Sequence, residues 1–375
     1  MGIAFIDLQA QRARIEDKIN AAITKVLDEG RFIMGPQVTL FEEQIAEFGN
    51  AKHALGCGNG TDALALPLLA WKVGPGDAVY CPSFTFAATG EIVPWYGATP
   101  VFVDILPDTY NIDPVKLEAS IEKTKAEGKL TPKVIIAVDL FGQPADYPAL
   151  KRIAKKYDMK LVADSAQGFG CTLNGNHPLH WADVTTTSFF PAKPLGCYGD
   201  GGAVLTNCDE TADIIRSLRV HGKGGDKYDN IRIGMNSRLD TLQAAILIEK
   251  LAIFADEIER RNKVASRYCE ALKDCVDAVP AMIEGGVSTW AQFTIEHKDR
   301  EGLAAHLKAN GVPSAIYYPK PMHMQTAYKD FPVGAGGLDV SEDKATRVIS
   351  LPMHPYLDEG TQDIIIQAVR GFNHR

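Results

Sequence analysis

The sequence has no long apolar stretch. No uninterrupted apolar run approaches the roughly 18 residues that a membrane-spanning helix needs. The start of the chain also differs from a signal peptide, because residues 9–14 (QAQRAR) are polar. These features predict a cytoplasmic protein that has no membrane partner.

Cysteine is sparse and irregularly spaced. The count of 7 is odd, and no Cys-x-x-Cys pair occurs, so the pattern predicts neither a disulfide framework nor a zinc site. We expect reduced thiols, as in the cytoplasm, and no metal centre. The seven residues are Cys57, Cys81, Cys171, Cys197, Cys208, Cys269 and Cys275.

Positive charge is also limited. The chain has 39 Lys and Arg against 47 Asp and Glu, which gives a formal net charge of -8, and no basic run of five residues occurs. A nucleic-acid-binding surface needs a concentrated basic face. The sequence therefore predicts no nucleic-acid partner, and any anionic ligand must be held by a few local cations.

The order of predicted elements indicates the fold class. A length of 375 residues suggests two or three units of about 100–200 residues each. Short apolar strands alternate with helices, which predicts an α/β fold with a mainly parallel sheet. After residue 240 the pattern becomes a long helix followed by mixed strands and helices. We predict a large domain over 1–240, with N-terminal helices, and a linking helix plus a small α+β domain over 241–375.

Polar or glycine-bearing loops follow five of the predicted strands. In parallel sheets, ligands bind beyond the carboxyl ends of the strands. We therefore expect these loops to form one site. They are residues 58–61 (GNGT), 83–86 (SFTF), 139–142 (DLFG), 164–167 (DSAQ) and 188–193 (SFFPAK).

The last of these loops carries a lysine between two prolines. Lys193 lies between two predicted strands, residues 183–189 and 201–207, and Pro194 disfavours helical geometry at the lysine. A lysine that serves as an amine nucleophile needs such a setting. A solvated loop lysine fits the loop equally well when it is considered alone.

The other loops offer groups that complement such a lysine. Gly60 and Thr61 open a helix, whose free N–H groups favour an anion, although a plain helix cap explains them too. Asp164 is either a helix cap or a buried acid that needs a cation. Phe86 offers a flat face or simple core packing, and Gln167 can donate to a phenolate oxygen or satisfy the backbone.

Pyridoxal phosphate (PLP) needs one group of each kind. It requires a lysine for covalent attachment, an acid for the pyridine nitrogen, a phosphate site and an apolar face. Lys193, Asp164, Gly60 with Thr61, and Phe86 supply these functions on one predicted sheet edge. The joint pattern is much more specific than any single member, and it predicts a PLP enzyme.

Several segments resemble motifs of one family, the DegT/DnrJ/EryC1/StrS nucleotide-sugar aminotransferases. The resemblance runs from residues 5–8 (FIDL) to 351–355 (LPMHP) and implies PLP fold type I, with a seven-stranded, mainly parallel sheet. The sequence around Lys193 most resembles that of the subgroup that aminates UDP-linked 3-keto-hexuronates for surface polysaccharide such as lipopolysaccharide. The matching segments are 60–64 (GTDAL), 82–86 (PSFTF), 164–167 (DSAQ), 188–196 (SFFPAKPLG) and 236–240 (NSRLD).

The resemblance implies a role for each matching residue. Lys193 would hold the cofactor and then move a proton, and Asp164 would keep the pyridine nitrogen protonated. Gln167 would bond the ring oxygen, and Phe86 would stack on the ring. Asn236 would act from the neighbouring subunit, which implies an obligate homodimer with active sites at its interface. The expected phosphate ligands are Gly60, Thr61, Ser188 and that Asn236.

Substrate contacts are less specific in the sequence. Arg238 could pair with a carboxylate of glutamate, the expected amino donor, or of the sugar, or else with Asp240. Family members usually have histidine where this chain has Tyr317. The remaining candidates are Tyr318 and His323, each also readable as a packed or surface residue, and His221 as a diphosphate contact.

Three alternatives remain open at this point. The enzyme could aminate C3 or C4 of another UDP- or dTDP-ketosugar. It could also be a PLP-dependent sugar dehydratase, although that group carries histidine where this chain has Lys193. A PLP-binding regulator is the third alternative, and the net charge of -8 argues against its acting on DNA.

Overall fold

Three helices precede the central sheet in this computed structural model, which describes residues 2–226 and 228–372. They are α1 (Leu8–Arg14), α2 (Glu16–Glu29) and α3 (Pro36–Phe48). Asp7 caps α1 by accepting a hydrogen bond from the Ala10 N–H at 2.8 Å. Gly30 ends α2 in the left-handed conformation, with φ of 64°, which glycine adopts without strain.

The central sheet has seven strands in the order β1-β8-β7-β5-β4-β2-β3. Strand β8 runs antiparallel to both of its neighbours, β1 and β7, and the pairs from β7 to β3 are parallel. The predicted mainly parallel seven-stranded sheet is therefore confirmed. Its strands are β1 (His53–Cys57), β2 (Asp77–Pro82), β3 (Thr99–Val103), β4 (Thr131–Val138), β5 (Lys160–Asp164), β7 (Val184–Ser188) and β8 (Gly202–Thr206).

Both faces of this sheet are covered by apolar side chains. Along β4, Val134 and Ile136 pack into one buried cluster, whereas Ile135 and Ala137 pack into the cluster on the opposite face. This alternation explains why the strand is a continuous apolar run in the sequence. The helices of this part are α4 (Gly60–Ala70), α5 (Ala88–Trp95), α6 (Pro114–Glu127), α7 (Tyr147–Lys156) and α8 (Asp209–Leu218).

The C-terminal part has its own buried cluster, formed by residues between Val264 and Val369. The helix α9 (Thr241–Leu272) connects it to the sheet and, with 32 residues, is about 48 Å long. The division of the chain into domains after residue 240 stays a prediction. The other elements are β6 (Thr172–Leu173), β9 (Gly286–Val287), β10 (Phe293–Glu296), α10 (Arg300–Ala309), α11 (Asp339–Arg347), β11 (Val348–Leu351) and α12 (Glu359–Phe372).

Among the described residues, no helix is long and apolar enough to cross a membrane.

Candidate active site

The loop between β7 and β8 folds back on itself and presents Lys193. The Lys193 N–H donates to the Phe190 carbonyl at 2.8 Å, and the Cys197 N–H donates to the Phe189 carbonyl at 2.8 Å. Gly196 lies against the same turn, because a Cβ there would be 2.5 Å from the Pro191 carbonyl oxygen. These contacts fix the backbone of the lysine within a closed turn.

The environment of the Lys193 amine favours its neutral form. Burial lowers the pKa of Lys193 below its ordinary range, and the negative charge of Asp164 partly opposes that shift. A neutral amine is the form that attacks a carbonyl carbon. The electrostatic coupling also shows that the structure brings together Lys193 and Asp164, which the sequence placed in one site.

Asp164 ends β5 and is buried, with 4% exposure. Its Oδ2 accepts a hydrogen bond from the Thr89 hydroxyl at 2.9 Å, and its Oδ1 accepts one from the Ala166 N–H at 3.2 Å. Burial raises the pKa of Asp164, and these hydrogen bonds and Lys193 oppose the rise. A buried acid so placed is suited to a cationic partner such as a protonated ring nitrogen.

The first turn of α4 forms a concave site with Ser188. Asn59 caps the helix by accepting from the Asp62 N–H at 2.8 Å. A Cβ at Gly60 would lie 2.5 Å from the Ser188 Cβ, so only glycine leaves this space open. The helix N-terminus, the Thr61 hydroxyl and the Ser188 hydroxyl form a donor set that suits a phosphate. Gly60, Thr61 and Ser188, three of the four predicted phosphate residues, therefore lie where they could hold that group.

Gln167 joins two parts of the site. Its Oε1 accepts from the Phe141 N–H at 2.7 Å, and its Nε2 donates to the Tyr318 hydroxyl at 2.8 Å. The Tyr318 ring is 6.4 Å from that of Phe86 and tilted by 40°. Phe86 is 57% exposed, unlike a core phenylalanine. Its open ring face is consistent with the predicted stacking role.

Asn236 and Arg238 lie apart from these groups, on the wall of a pocket of about 490 Å³ that also includes Gly58 and Asn59. Asn236 is exposed. Among the described residues, Arg238 forms no ion pair, neither with Asp240 nor with another acid. The pocket adjoins the N-terminal end of α4, so a second chain seated here would approach the phosphate site from outside.

The three other candidates from the sequence are His323, Tyr317 and His221. His323 places Nδ1 2.7 Å from the Ser83 hydroxyl and Nε2 3.0 Å from Glu342, so both ring nitrogens already have protein partners. Tyr317 is half-buried, with its ring 6.5 Å from that of Phe5. His221 lies in a turn with a φ of 58°.

One residue that contacts Asp164, Thr89, was not predicted from the sequence. Thr89 donates to Asp164 and lies 3.1 Å from the Thr85 hydroxyl, so Thr85, Thr89 and Asp164 form a buried chain. Thr85 precedes α5 and Thr89 lies in its first turn, so the turn that leads into the helix brings the two hydroxyls together.

Comparison with known proteins identifies the family of this chain. Residues 13–370 match the sequence profile of the DegT/DnrJ/EryC1/StrS aminotransferase family. The chain is 49% identical over 368 residues to the UDP-2-acetamido-2-deoxy-3-oxo-D-glucuronate aminotransferase of Pseudomonas aeruginosa, covering 98% of this chain and 99% of that protein.

Two solved structures extend the comparison. A DegT DnrJ EryC1 StrS aminotransferase from Brucella abortus is 54% identical, with a TM-score of 0.98 and full coverage of both chains. NtdA from Bacillus subtilis, solved with the cofactor PMP (pyridoxamine phosphate), is 30% identical. Its TM-score is 0.88, covering 100% of this chain and 86% of that one.

Proposed function

Because the chain belongs to the DegT/DnrJ/EryC1/StrS aminotransferase family and is a PLP-dependent sugar aminotransferase, we propose a specific substrate pair for it. The amino group comes from glutamate and is transferred to the C3 ketone of a UDP-linked 2-acetamido-3-keto-hexuronate. The product serves surface polysaccharide such as lipopolysaccharide. The name and 49% identity of the Pseudomonas aeruginosa relative support this choice of sugar.

The observation that carries the proposal is the joint placement of Lys193, Asp164 and the open first turn of α4. When bound, PLP supplies an electron-withdrawing ring that stabilises negative charge on a reacting carbon. In the proposal, the Lys193 amine is the covalent anchor and, once released, accepts and returns a proton. Its lowered pKa suits both tasks.

The other site residues orient and hold the cofactor. Asp164 holds the proton of the ring nitrogen, and Thr89 fixes the direction of its carboxylate at 2.9 Å. Gln167 presents its amide to the ring oxygen, and Phe86 covers one ring face. The phosphate is held by Gly60, Thr61 and Ser188, with Asn236 of the partner subunit.

The proposal includes a homodimer. Asn236 and Arg238 line the outer pocket, and Asn236 is exposed. Among the described residues Arg238 has no ion pair, as expected of a residue that acts on a second chain. Ile33 lines the same pocket and is 55% exposed. Ile231 and Ile233, which shortly precede Asn236 in the chain, are 55% and 93% exposed. These exposed apolar side chains support an interface in the proposal. In the dimer, Arg238 pairs with a substrate carboxylate of glutamate or of the uronate.

Tyr317, Tyr318 and His323 complete the proposed substrate side. Tyr318 is tied to Gln167, so it lies beside the ring oxygen side of the cofactor. Tyr317 adds an aromatic surface where related enzymes carry histidine. Both ring nitrogens of His323 are engaged by Ser83 and Glu342, so in the proposal His323 shapes the wall of the substrate site and is not a free hydrogen-bond donor to the substrate.

A half-reaction assay tests this function. The purified enzyme is converted to its pyridoxamine form and offered a panel of UDP- and dTDP-linked 3-keto and 4-keto sugars, with the visible absorbance of the cofactor as readout. We expect the absorbance of the pyridoxal form to return fastest with the UDP-linked 3-keto-hexuronate. Faster return with a 4-keto or dTDP-linked sugar would contradict the proposed substrate and leave the aminotransferase class intact.

A further inference from the structure

A buried lysine that the proposed mechanism does not use lies behind the Lys193 loop. Lys250, on α9, is only 1% exposed. Its Nζ donates to the Gly196 carbonyl at 2.6 Å and lies 4.3 Å from the centre of the Tyr198 ring. No carboxylate of the described residues lies within ion-pair distance of it.

Burying this cation is unfavourable. An ammonium removed from water without a carboxylate loses hydration that one carbonyl and one aromatic face only partly replace. Burial accordingly lowers the pKa of Lys250 to about 8, against an opposing effect of Glu257. A buried charge with no ion pair beside a reactive group is a candidate for a functional role.

Helix α9 also contacts the Lys193 loop at a second point. The Gln243 Oε1 accepts from the Tyr198 N–H at 2.9 Å, and Gln243 lies seven residues before Lys250 on one face of α9. The loop packs closely around both contacts: a Cβ at Gly196 would lie 2.5 Å from the Pro191 carbonyl oxygen, and one at Gly199 would lie 3.0 Å from Gln243 Nε2.

The contact between Lys250 and Gly196 is linked to Lys193 through the backbone of the loop. Gly196, which Lys250 holds, packs on the carbonyls of Phe190 and Pro191, and the Phe190 carbonyl accepts the Lys193 N–H. A displacement of Gly196 therefore moves the backbone from which the Lys193 side chain extends.

We propose that Lys250 is a positioning residue for Lys193: its ammonium fixes the Gly196 carbonyl and holds the loop in the form in which the Lys193 amine captures the PLP aldehyde. Capture joins the amine nitrogen to the aldehyde carbon and releases one water. The inference rests on the proposed role of Lys193. It makes α9 a functional part of the site as well as a link to the C-terminal part.

Comparing the binding of two cofactor forms, PLP and PMP, distinguishes a positioning role of Lys250 from a general structural role. PLP needs Lys193 for covalent capture, whereas PMP has no aldehyde and binds through its ring and phosphate alone. The test measures PLP capture by visible absorbance and PMP affinity by fluorescence in apoenzyme of the wild type, Lys250→Met and Lys250→Arg. Lys263→Met, which removes an exposed lysine from the same helix, is the matched control.

We expect Lys250→Met to slow PLP capture by roughly tenfold or more, the loss that follows from removing one charge-assisted hydrogen bond, while PMP affinity changes by less than about twofold. Lys250→Arg should recover part of the rate, and Lys263→Met should behave as wild type. Capture by Lys250→Met at the wild-type rate, or an equal loss of PLP and PMP binding, would overturn the proposal.

Two further variants keep the result interpretable. If Lys250→Met does not fold, Lys250→Arg and Lys250→Gln are compared, and equal capture rates for the two would refute a role for the cation. Lys193→Ala should abolish capture. If it does not, the proposed role of Lys193 fails, whereas loss of capture in Lys193→Ala with normal capture in the Lys250 variants rejects the Lys250 inference alone.

Discussion

At the scale of single residues, burial moves two pKa values in opposite directions. It raises the pKa of Asp164 and lowers that of Lys193, and each charge partly offsets the shift of the other. Each shift favours the uncharged form of its group, and for Lys193 that form is the nucleophilic amine. Thr89 orients the Asp164 carboxylate by donating a hydrogen bond to one of its oxygens at 2.9 Å.

Replacing Asp164 by Asn tests the residue-scale account. The amide keeps the size of the carboxyl but cannot stabilise a positive charge on the ring nitrogen, so kcat/KM for the glutamate half-reaction should fall by about 10²–10³. Thr89→Val, which removes one hydrogen bond to the carboxylate, should cost about tenfold. Wild-type kcat/KM in Asp164→Asn would contradict the assigned role.

At the scale of elements, the site depends on how strand ends and helix starts meet. The start of α4 lies against the end of β7, so closely that Gly60 has no space for a methyl group beside Ser188. The end of β5 supplies Asp164, and the loop after β7 supplies Lys193. Adjacent strand ends thus bring together residues that are far apart in sequence.

Gly60→Ala tests the contact between α4 and β7. Its added Cβ would lie 2.5 Å from the Ser188 Cβ and narrow the proposed phosphate site, so PLP affinity should fall at least about tenfold, the effect of losing more than one phosphate hydrogen bond. Gly225→Ala, at a glycine with open space around it, is the control. Equal PLP affinities for the two variants, measured by titration of apoenzyme, would show that the phosphate binds elsewhere.

The pH dependence of stability tests the state of Lys250 on α9. The pKa of this group falls from 10.5 to about 8 on folding, so between these pH values the unfolded chain binds a proton that the folded chain does not. Stability then rises with pH in this window. The free energy of unfolding of the wild type relative to Lys250→Met should increase from pH 8 to pH 10. A flat difference in denaturant titrations would show that Lys250 stays charged.

Most of this element-scale arrangement follows from sequence pattern. The apolar strands and the loops after them predicted both the sheet and the grouping of Lys193 with Asp164. Sequence pattern could not predict hydrogen bonds between side chains that are far apart in the chain. Gln167 and Tyr318, which are 151 positions apart, are an example. Lys250 was missed for another reason: a lysine at an inward position of an amphipathic helix contradicts the pattern used to find the buried face.

At the scale of the whole molecule, we propose that each site draws on two chains. Asn236 and Arg238 lie on the wall of an outer pocket that also includes Ile33, which is 55% exposed. A two-fold dimer would bury these residues and complete both sites together. Activity would then depend on assembly as much as on folding.

Mixing inactive variants tests this dependence. Lys193→Ala and Asn236→Ala chains should regain activity when mixed, because one site of each mixed dimer has Lys193 from one chain and Asn236 from the other. Random exchange predicts roughly a quarter of wild-type activity. Lys193→Ala mixed with Gly60→Ala is the control and should show no gain over the activity of the Gly60→Ala chains alone, since both residues belong to the same side of the site. Failure to recover in freely exchanging chains would contradict a shared site.

The proposed reaction is amino transfer to C3 of a UDP-linked keto-hexuronate. The most direct measurement supplies ¹⁵N-labelled glutamate, PLP and the UDP-linked 2-acetamido-3-keto-hexuronate to the enzyme and locates the label in the product by NMR. We expect ¹⁵N bonded to C3 with the wild type and no labelled product with Lys193→Ala. Label at C4 of an alternative substrate in preference to C3, or no incorporation by a PLP-loaded enzyme, would contradict it.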